Sequence, residues 1–290
     1  MPEGTVVKAY GGFYYVREGE RLWECVLRGR FRLEKKQVLV GDRVIFTARQ
    51  EDAGVIEQLL PRRTELVRPP VANVDRAVIV ISGREPEPNP LLLDRFLIQV
   101  AAAGVRPMIC LNKIDLPAAG AEELIAVYRR AGYPVFATSA LRGTGIGELR
   151  EALAGGISVL AGPSGVGKSS LLNALHPGWM LKTGAVSRRL GRGRHTTRHV
   201  ELLALPEGGL VADTPGFTSL NLPPMTRQEL AACYPEMERY RSGCRFTGCL
   251  HAKEPDCAVK EAVAAGEIAP LRYENYLVLL QEVAARERRY

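Results

Sequence analysis

The sequence predicts a multidomain protein: an all-β barrel of the oligonucleotide-binding (OB) type at residues 1–68, an α/β domain at 69–219, and a mostly helical domain at 220–290. Short strand-like runs fill the first part without a helical stretch between them. Apolar strands then alternate with helical patterns, and proline-marked helical segments surround a cysteine cluster at the end. With 290 residues, each part has enough chain to bury its own core.

The composition is that of a folded protein with a basic surplus. Apolar residues make up 46% of the chain and charged residues 24%, which excludes a disordered or fibrous protein. Lysine plus arginine exceed aspartate plus glutamate by 39 to 32, giving a net charge of +7. The longest apolar runs have the length of strands, and no secretory signal pattern occurs, so we expect a cytoplasmic monomer without membrane association.

Five strand-like runs in the first part favour an OB-type barrel, with an SH3-like barrel as the alternative. The runs are Thr5 to Ala9, Phe13 to Val16, Leu22 to Leu27, Val38 to Ala48 around the turn Gly41-Asp42, and Gly54 to Leu60. A basic cluster lies beside Phe31 and contains Arg28, Arg30, Arg32, Lys35 and Lys36. Basic side chains next to an aromatic ring favour RNA binding over a purely structural barrel.

After a stiff joint at Arg68-Pro69-Pro70, strands and helices alternate, which predicts a largely parallel sheet with helices on both faces. The strand and helix pairs are Ala77 to Ser82 with Leu92 to Ala103, Pro107 to Leu111 with Ala121 to Ala131, Val135 to Thr138 with Ile146 to Ala154, and Ile157 to Ala161 with Lys168 to Leu175. Two further strands, His199 to Leu205 and Gly209 to Ala212, complete the domain. The last predicted element of the chain is a helix from Leu271 to Arg286, in the third domain.

A phosphate-binding loop of the form G-x-x-x-x-G-K-S lies between a predicted strand and a predicted helix, which is the context this motif requires. Its residues are Gly162, Pro163, Ser164, Gly165, Val166, Gly167, Lys168, Ser169 and Ser170. The glycines let backbone N–H groups and the helix N-terminus face the phosphates. We expect Lys168 to reach the β- and γ-phosphates during catalysis and Ser169 to bind Mg²⁺. The loop alone leaves ATP and GTP equally open.

A second motif, Asn112, Lys113, Ile114 and Asp115, follows an apolar strand at the sheet edge where ligands collect. An aspartate there can accept hydrogen bonds from N1–H and the 2-amino group of guanine, which adenine does not offer. Lys113 would lay its stem along the base, and a backbone N–H of the Ser139-Ala140 pair would contact guanine O6. Together with the phosphate loop, these residues predict GTP and GDP as ligands.

The third motif, Asp213-Thr214-Pro215-Gly216, also follows a strand. Asp213 would hold Mg²⁺ through water, and the Gly216 N–H would contact the γ-phosphate. Phe217 stands where many GTPases have a water-orienting glutamine, so catalysis must come from elsewhere or await a partner. In ordinary GTPases the phosphate loop precedes the base motif. Here the base motif comes first, which predicts a circularly permuted domain.

A glycine-containing basic segment lies between the phosphate loop and Asp213. Its arginines are Arg188, Arg189, Arg192, Arg194 and Arg198, and such a segment suits phosphate-rich surfaces. Thr196 or Thr197 could complete the Mg²⁺ shell, and His195 could position or deprotonate the attacking water. The alternative for His195 is a contact to an RNA phosphate, and the sequence leaves both interpretations open.

Three cysteines and one histidine near the end form the pattern C-x4-C-x-H-x5-C: Cys244, Cys249, His251 and Cys257. Three thiolates and an imidazole are the ligands of a closed structural Zn²⁺ site. Disulfides are the alternative, and they are rare in cytosolic proteins. Of the other cysteines, Cys25 and Cys110 are predicted to be buried apolar residues, and Cys233 has no assigned role.

Taken together, these residues resemble the circularly permuted, small-ribosomal-subunit-dependent GTPases of bacteria. The resemblance covers nearly the whole chain, and Gly193 to Arg198 and Asp213 to Phe217 are similar to the two switch segments of that family. It implies a late step in small-subunit assembly, hydrolysis stimulated by the subunit, and contacts of the barrel and zinc domain to ribosomal RNA. The rival hypothesis is a GTP-dependent RNA-binding switch whose hydrolysis is incidental. A signalling switch with protein partners alone fits the basic loops poorly.

Overall fold

The computed structural model describes residues 1–29, 37–67, 69–117, 119–176, 178, 200–213 and 221–287, with Gln50 and Asp213 described by their backbone only. Some predicted features lie outside these ranges: the basic loop around Phe31, the segment 179–199 with His195, Thr196 and Thr197, and the pair Gly216 and Phe217. Within the described ranges, no helix combines the length and the apolar character that crossing a membrane requires.

The first five strands form a closed barrel. They are β1 (Glu3–Tyr10), β2 (Phe13–Glu18), β3 (Arg21–Leu27), β4 (Arg43–Gln50) and β5 (Ala53–Leu59). The pairing order is β1-β2-β3-β5-β4, and β4 pairs back onto β1. The strands β3 and β5 run parallel, while the other neighbouring strands are antiparallel. This strand topology fits the predicted OB-type barrel. Val6, Trp23 and Phe46 pack its interior.

A short hairpin and a buried carboxylate tie the barrel to the next domain. The hairpin consists of β6 (Glu65–Val67) and β7 (Pro70–Ala72), so the predicted joint falls between two paired strands. Asp42 is 1% exposed and accepts hydrogen bonds from Arg62 at 2.7 and 2.8 Å. Gly41 has φ +93°, and a Cβ there would lie 2.0 Å from the carbonyl oxygen of Ala72. Only glycine allows this approach of the two chains.

The α/β domain has a mostly parallel sheet in the order β10-β9-β8-β11-β13-β12, with β12 antiparallel. Its strands are β8 (Arg76–Ser82), β9 (Arg106–Asn112), β10 (Val135–Ala137), β11 (Ile157–Ala161), β12 (Glu201–Ala204) and β13 (Leu210–Asp213). Its helices are α1 (Pro90–Ala102), α2 (Ala121–Arg130), α3 (Ile146–Ala152) and α4 (Lys168–Leu175).

Strand β8 shows how the sheet is covered on both faces. Ile79 belongs to the core cluster of α1 and α2, whereas its neighbours Val78 and Val80 belong to the cluster of α3 and α4. Successive residues of a strand point to opposite faces, so a continuous apolar run such as β8 needs cover on both. Because β8, β9, β10 and β11 run parallel, their carboxyl ends share one edge of the sheet. The predicted motifs begin at this edge.

Strand β1 also joins the barrel to this sheet. It pairs antiparallel with β12 at Lys8 opposite Glu201, so the barrel and the α/β domain form one sheet of eleven strands. The register of β1 against β2 shifts at a β-bulge between Val6 and Lys8. Val6 packs into the barrel core, and the bulged Val7 packs into the core cluster of α1 and α2.

Residues 221–287, the described part of the last region, contain four helices: α5 (Arg227–Ala232), α6 (Pro235–Arg241), α7 (Ala258–Ala264) and α8 (Pro270–Glu287). Thr226 and Glu229 form a capping box at the start of α5. The apolar core of this region includes Ile98 of α1 together with Tyr276 and Leu279 of α8. The helical region is therefore packed directly against the α/β domain.

A buried ionic cluster fastens that contact. Arg272 of α8 is 1% exposed and donates to Asp94 of α1 and, at 2.7 Å, to Glu236 of α6. Asp94 also accepts from Tyr128 at 2.6 Å and from Asn275 at 2.8 Å. Burial disfavours the charge of Arg272, but the carboxylates of Asp94 and Glu236 outweigh it and raise the pKa of the guanidinium.

Candidate nucleotide site and metal centre

The phosphate loop connects β11 to α4 at the carboxyl edge of the sheet. Gly162 has φ +131°, and a Cβ there would lie 2.1 Å from the carbonyl oxygen of Val80. The side chain of Val166 anchors the loop from below, since it is 1% exposed within the core cluster of α3 and α4. The backbone of the loop is thus held close to the neighbouring strand, with the N-terminus of α4 facing the loop's cavity.

Lys168, the first residue of α4, folds back over the loop. Its Nζ donates to the carbonyl oxygens of Gly162 at 2.8 Å and Pro163 at 2.7 Å. Burial lowers the pKa of this ammonium group. The next residue, Ser169, is half-buried at the second position of α4. Both side chains therefore lie where anionic groups on the loop would meet them.

Asn112 connects the base motif to the phosphate loop and to the Ser139-Ala140 pair. It is 1% exposed, and its Nδ2 donates to the carbonyl oxygen of Val166 at 2.9 Å. Its Oδ1 accepts from the Ala140 N–H at 3.1 Å and from the Thr138 hydroxyl at 3.2 Å. One amide thus holds together three segments that are far apart in the chain.

Asp115 is held by Ser139. The serine hydroxyl donates to Asp115 Oδ1 at 2.5 Å and accepts from the Arg142 N–H at 3.1 Å. The hydrogen bond from Ser139 lowers the pKa of Asp115, so the carboxylate is charged at neutral pH. Both N–H groups of the predicted O6-contacting pair have partners within the chain: Ser139 N–H donates to Thr144 O at 3.0 Å, and Ala140 N–H to Asn112.

Lys113 adopts a left-handed backbone conformation, with φ +64°. Its Nζ donates to the carbonyl oxygen of Glu85 at 2.5 Å, and its Cε would lie 4.0 Å from a Cβ on Gly167. Pro86, in turn, would be 3.7 Å from a Cβ on Gly165. The segment after β8 therefore forms a wall beside the phosphate loop. Nothing in the local sequence of residues 83–89 signals this role.

Asp213 ends β13, which pairs directly with β11. Val211 packs in the core cluster of α3 and α4, and Ala212 packs in the opposite cluster. By alternation, position 213 falls on the face of α4, the helix that carries Ser169. The predicted roles of Gly216, His195, Thr196 and Thr197 stay predictions, since those residues lie outside the described ranges.

The four predicted metal ligands converge in the helical region. The Sγ atoms of Cys244, Cys249 and Cys257 and a ring nitrogen of His251 all lie within 4.8 Å of one another. Cys244 Sγ is 3.8 Å from Cys257 Sγ, and His251 Nδ1 is 3.5 and 3.4 Å from these two sulfur atoms. All six cysteines of the chain are free thiols.

These distances match a tetrahedral site. Zinc bonds of about 2.3 Å to sulfur and about 2.0 Å to nitrogen separate two sulfur ligands by about 3.8 Å and a sulfur from a nitrogen by about 3.5 Å. The ligand loop is braced from α8, because the hydroxyls of Tyr273 and Tyr276 donate to the carbonyl oxygens of His251 at 2.7 Å and Leu250 at 2.6 Å. Sequence reasoning missed these two tyrosines.

Two family profiles match the chain: the RsgA GTPase at residues 59–223 and the RsgA N-terminal domain at residues 3–56. Two curated relatives are both named small ribosomal subunit biogenesis GTPase RsgA. The relative from Moorella thermoacetica is 54% identical over 288 residues, covering 99% of both chains. The relative from Geobacillus thermodenitrificans is 51% identical over 294 residues, covering 100% of both chains.

Two solved structures have the same overall fold. The crystal structure of YjeQ from Thermotoga maritima has a TM-score of 0.86 and 39% identity, covering 98% of both chains. The crystal structure of YloQ, described as a circularly permuted GTPase, has a TM-score of 0.85 and 40% identity, covering 99% of this chain and 96% of that one.

Proposed function

The chain belongs to the RsgA family of GTPases, and on this basis we propose that it hydrolyses GTP at a late step in the biogenesis of the small ribosomal subunit. It acts as a cytoplasmic monomer, and its barrel and helical region contact ribosomal RNA. The observation that carries the proposal is Asn112, whose amide joins the base motif, the phosphate loop and the Ser139-Ala140 segment at one sheet edge. These are the segments that a guanine nucleotide must contact together.

Guanine recognition is assigned to Asp115. Its charged carboxylate, held by Ser139, accepts from guanine N1–H and the 2-amino group. Lys113 covers the base with its stem while its ammonium group stays on the carbonyl of Glu85. The contact to guanine O6 is assigned to a backbone N–H of the Ser139-Ala140 pair, which Asn112 holds at this edge of the sheet.

Phosphate binding is assigned to Gly162 through Ser170, whose backbone N–H groups face the anion. Lys168 exchanges its two carbonyl partners for β- and γ-phosphate oxygens. Mg²⁺ is assigned to Ser169, at the start of α4, and Asp213, at the end of β13, because Mg²⁺ takes few protein ligands besides phosphate and water. When bound there, the ion would supply positive charge to offset the negative charge on the transferred phosphate. Thr196 or Thr197 would be a further ligand of the ion, the Gly216 N–H would contact the γ-phosphate, and His195 would orient the water.

The ligands Cys244, Cys249, His251 and Cys257 are assigned one structural Zn²⁺. We expect elemental analysis of protein purified without chelator to find about one zinc per chain and far less after Cys249→Ala, because closed structural sites need all four ligands. The variant should also unfold at lower temperature. Cys233→Ala is the matched control, since this thiol lies outside the cluster and should leave zinc content unchanged. Wild-type protein without zinc would contradict the assignment.

Turnover should depend on the subunit and on His195. We expect isolated small ribosomal subunits to raise the GTP turnover of wild-type protein by at least about tenfold, a small part of the roughly 10⁵-fold that partners can give GTPases lacking a complete site. His195→Ala should lose most of this stimulation and keep its affinity for GTP. His176→Ala is the matched control. An unchanged rate on adding subunits would favour the RNA-binding switch, and full stimulation of His195→Ala would reduce His195 to an RNA contact.

A further inference from the structure

One aromatic ring of the ligand loop, residues 244–257, faces solvent. Phe246 lies between the ligands Cys244 and Cys249 and is 43% exposed. Among the described residues, it belongs to no apolar core cluster and pairs with no other aromatic ring. Isolated apolar residues are common on protein surfaces, so the surroundings of this ring decide whether it has a function.

The backbone around Phe246 holds the ring in one place. The Cys249 N–H donates to the carbonyl oxygen of Phe246 at 3.2 Å, and Gly248, with φ +76°, completes the turn. Metal ligands flank this turn on both sides, at Cys244 and Cys249. A ring at the tip of a short turn that is fixed at both ends is already positioned, so little conformational entropy is lost when a partner binds it.

A cation lies beside the ring. The guanidinium carbon of Arg245 is 5.4 Å from the centroid of the Phe246 ring, a distance at which a cation interacts with the π face. Asp256 holds this side chain, since its Oδ2 lies 2.7 Å from Arg245 Nη1. The backbone N–H of Arg245 also donates to the carbonyl oxygen of Asp256, at 3.2 Å. The ring and the guanidinium are therefore presented to solvent together.

The segment that carries the ring has a surplus of positive charge. Residues 239–260 contain five lysines and arginines and two acidic residues. Both carboxylates already have partners in the chain: Asp256 holds Arg245, and Glu254 accepts hydrogen bonds from three backbone N–H groups of the ligand loop at 2.9–3.1 Å. An exposed aromatic ring within a basic segment suits a ligand that offers both flat rings and phosphates.

We propose that Phe246 stacks on an unpaired base of RNA, while the basic side chains of residues 239–260 attract the phosphates on either side of that base. This proposal rests on the proposed function and deepens it, because it states which feature of RNA the helical region selects. Aromatic side chains stack on bases that are splayed out of loops and bulges, whereas bases inside a duplex have no free face. An apolar pocket of a protein partner would cover the ring but would not match the positive charge.

A fluorescent substitute for the ring tests the stacking directly. Phe246→Trp in the full-length protein places an indole at the tip of the turn, where a stacked base quenches its emission even if the same RNA also contacts the barrel. A single-stranded RNA of roughly ten nucleotides, within the range of single-strand site sizes, should quench the emission. A fully paired duplex of the same sequence should not. Wild-type protein measures the background from the chain's own tryptophans. Equal quenching by both RNAs, or quenching by neither, would overturn the proposal.

Affinity measurements with the same single strand, labelled for fluorescence anisotropy, separate stacking from charge. Phe246→Ala should weaken binding on the order of tenfold, as is typical when one stacked ring is removed. Phe246→Leu should lose nearly as much, because it is apolar but has no flat ring, and Phe246→Tyr should bind like wild type. The salt dependence of binding should be the same for Phe246→Ala and wild type, since the ring contacts no phosphate.

Val278→Ala is the matched control, because Val278 is another exposed apolar side chain of the same region, on α8. Its replacement should leave RNA binding unchanged. If Phe246→Ala weakened binding to isolated small ribosomal subunits but not to the RNA strand, the ring would contact a protein and the proposal would be wrong. The proposed function fails separately, if wild-type protein binds neither subunits nor RNA, and the proposal then fails with it.

Discussion

Replacing Asp115 with Asn is expected to transfer nucleotide preference from guanine to xanthine. The carboxylate should form two hydrogen bonds with guanine, and an amide cannot accept both. Charged hydrogen bonds contribute about 1.5–3 kcal/mol each, so the affinity for GTP should fall by about a hundredfold or more. The amide introduced at this position can still accept from Ser139, which keeps the loop in place, and its NH₂ group can donate to the exocyclic oxygen at the 2-position of xanthine.

Competition titrations with GTP, xanthosine triphosphate and ATP measure this change. Asp256→Asn is the matched control, because Asp256 is an exposed aspartate in an ion pair with Arg245 and should not alter selectivity. If the wild-type protein binds ATP as tightly as GTP, Asp115 does not select the base.

Replacing Arg272 with Met is expected to give the largest loss of stability. Removing one partner of a buried ion cluster leaves Asp94 and Glu236 as uncompensated charges, which costs about 3–5 kcal/mol. For a protein of this size, the thermal midpoint should fall by roughly 10 °C. Because Arg272 joins α8 to α1 and α6, the contact between the helical region and the α/β domain should weaken first.

Differential scanning calorimetry of Arg272→Met, Arg286→Met and the double variant Arg272→Met/Asp94→Asn tests this account. Arg286 lies on the same helix but is partly exposed, so its replacement should shift the midpoint by only a few degrees. The double variant removes one of the stranded charges and should recover part of the loss. Equal midpoints for the two single variants would show that burial of Arg272 does not stabilise the contact.

Helix and strand positions followed well from local sequence. The helix predicted at Lys168 to Leu175 is α4 with the same bounds. The helix predicted from Leu92 begins two residues earlier, because Asn89 caps it with a 2.9 Å bond to Leu92 N–H and Pro90 fits the first position. The domain boundaries at 68/69 and 219/220 stay predictions, since residues 68 and 214–220 lie outside the described ranges.

Contacts between distant segments could not be predicted in the same way. Asp94, Glu236 and Arg272 are ordinary surface residues by type, and only packing reveals that they are buried together. The pairing of Lys8 with Glu201 depends on strand register across two domains. The residues that bind phosphate, guanine and metal, in contrast, were predictable from the sequence. Their residue types and spacings reflect the chemistry of phosphate, guanine and metal, which is the same in any fold.

The strand order of the α/β domain also determines when the nucleotide site can form during synthesis. The base half, from β8 to β10, leaves the translating ribosome before β11 and the phosphate loop do, and chains fold from the N-terminus as they emerge. Strand β11 then adds to the free side of β8, and β13 adds to β11. GTP can therefore stabilise only the finished sheet. A chain truncated before Gly162 would have the base motif but neither the phosphate loop nor the Val166 carbonyl that holds Asn112, and should not retain nucleotide.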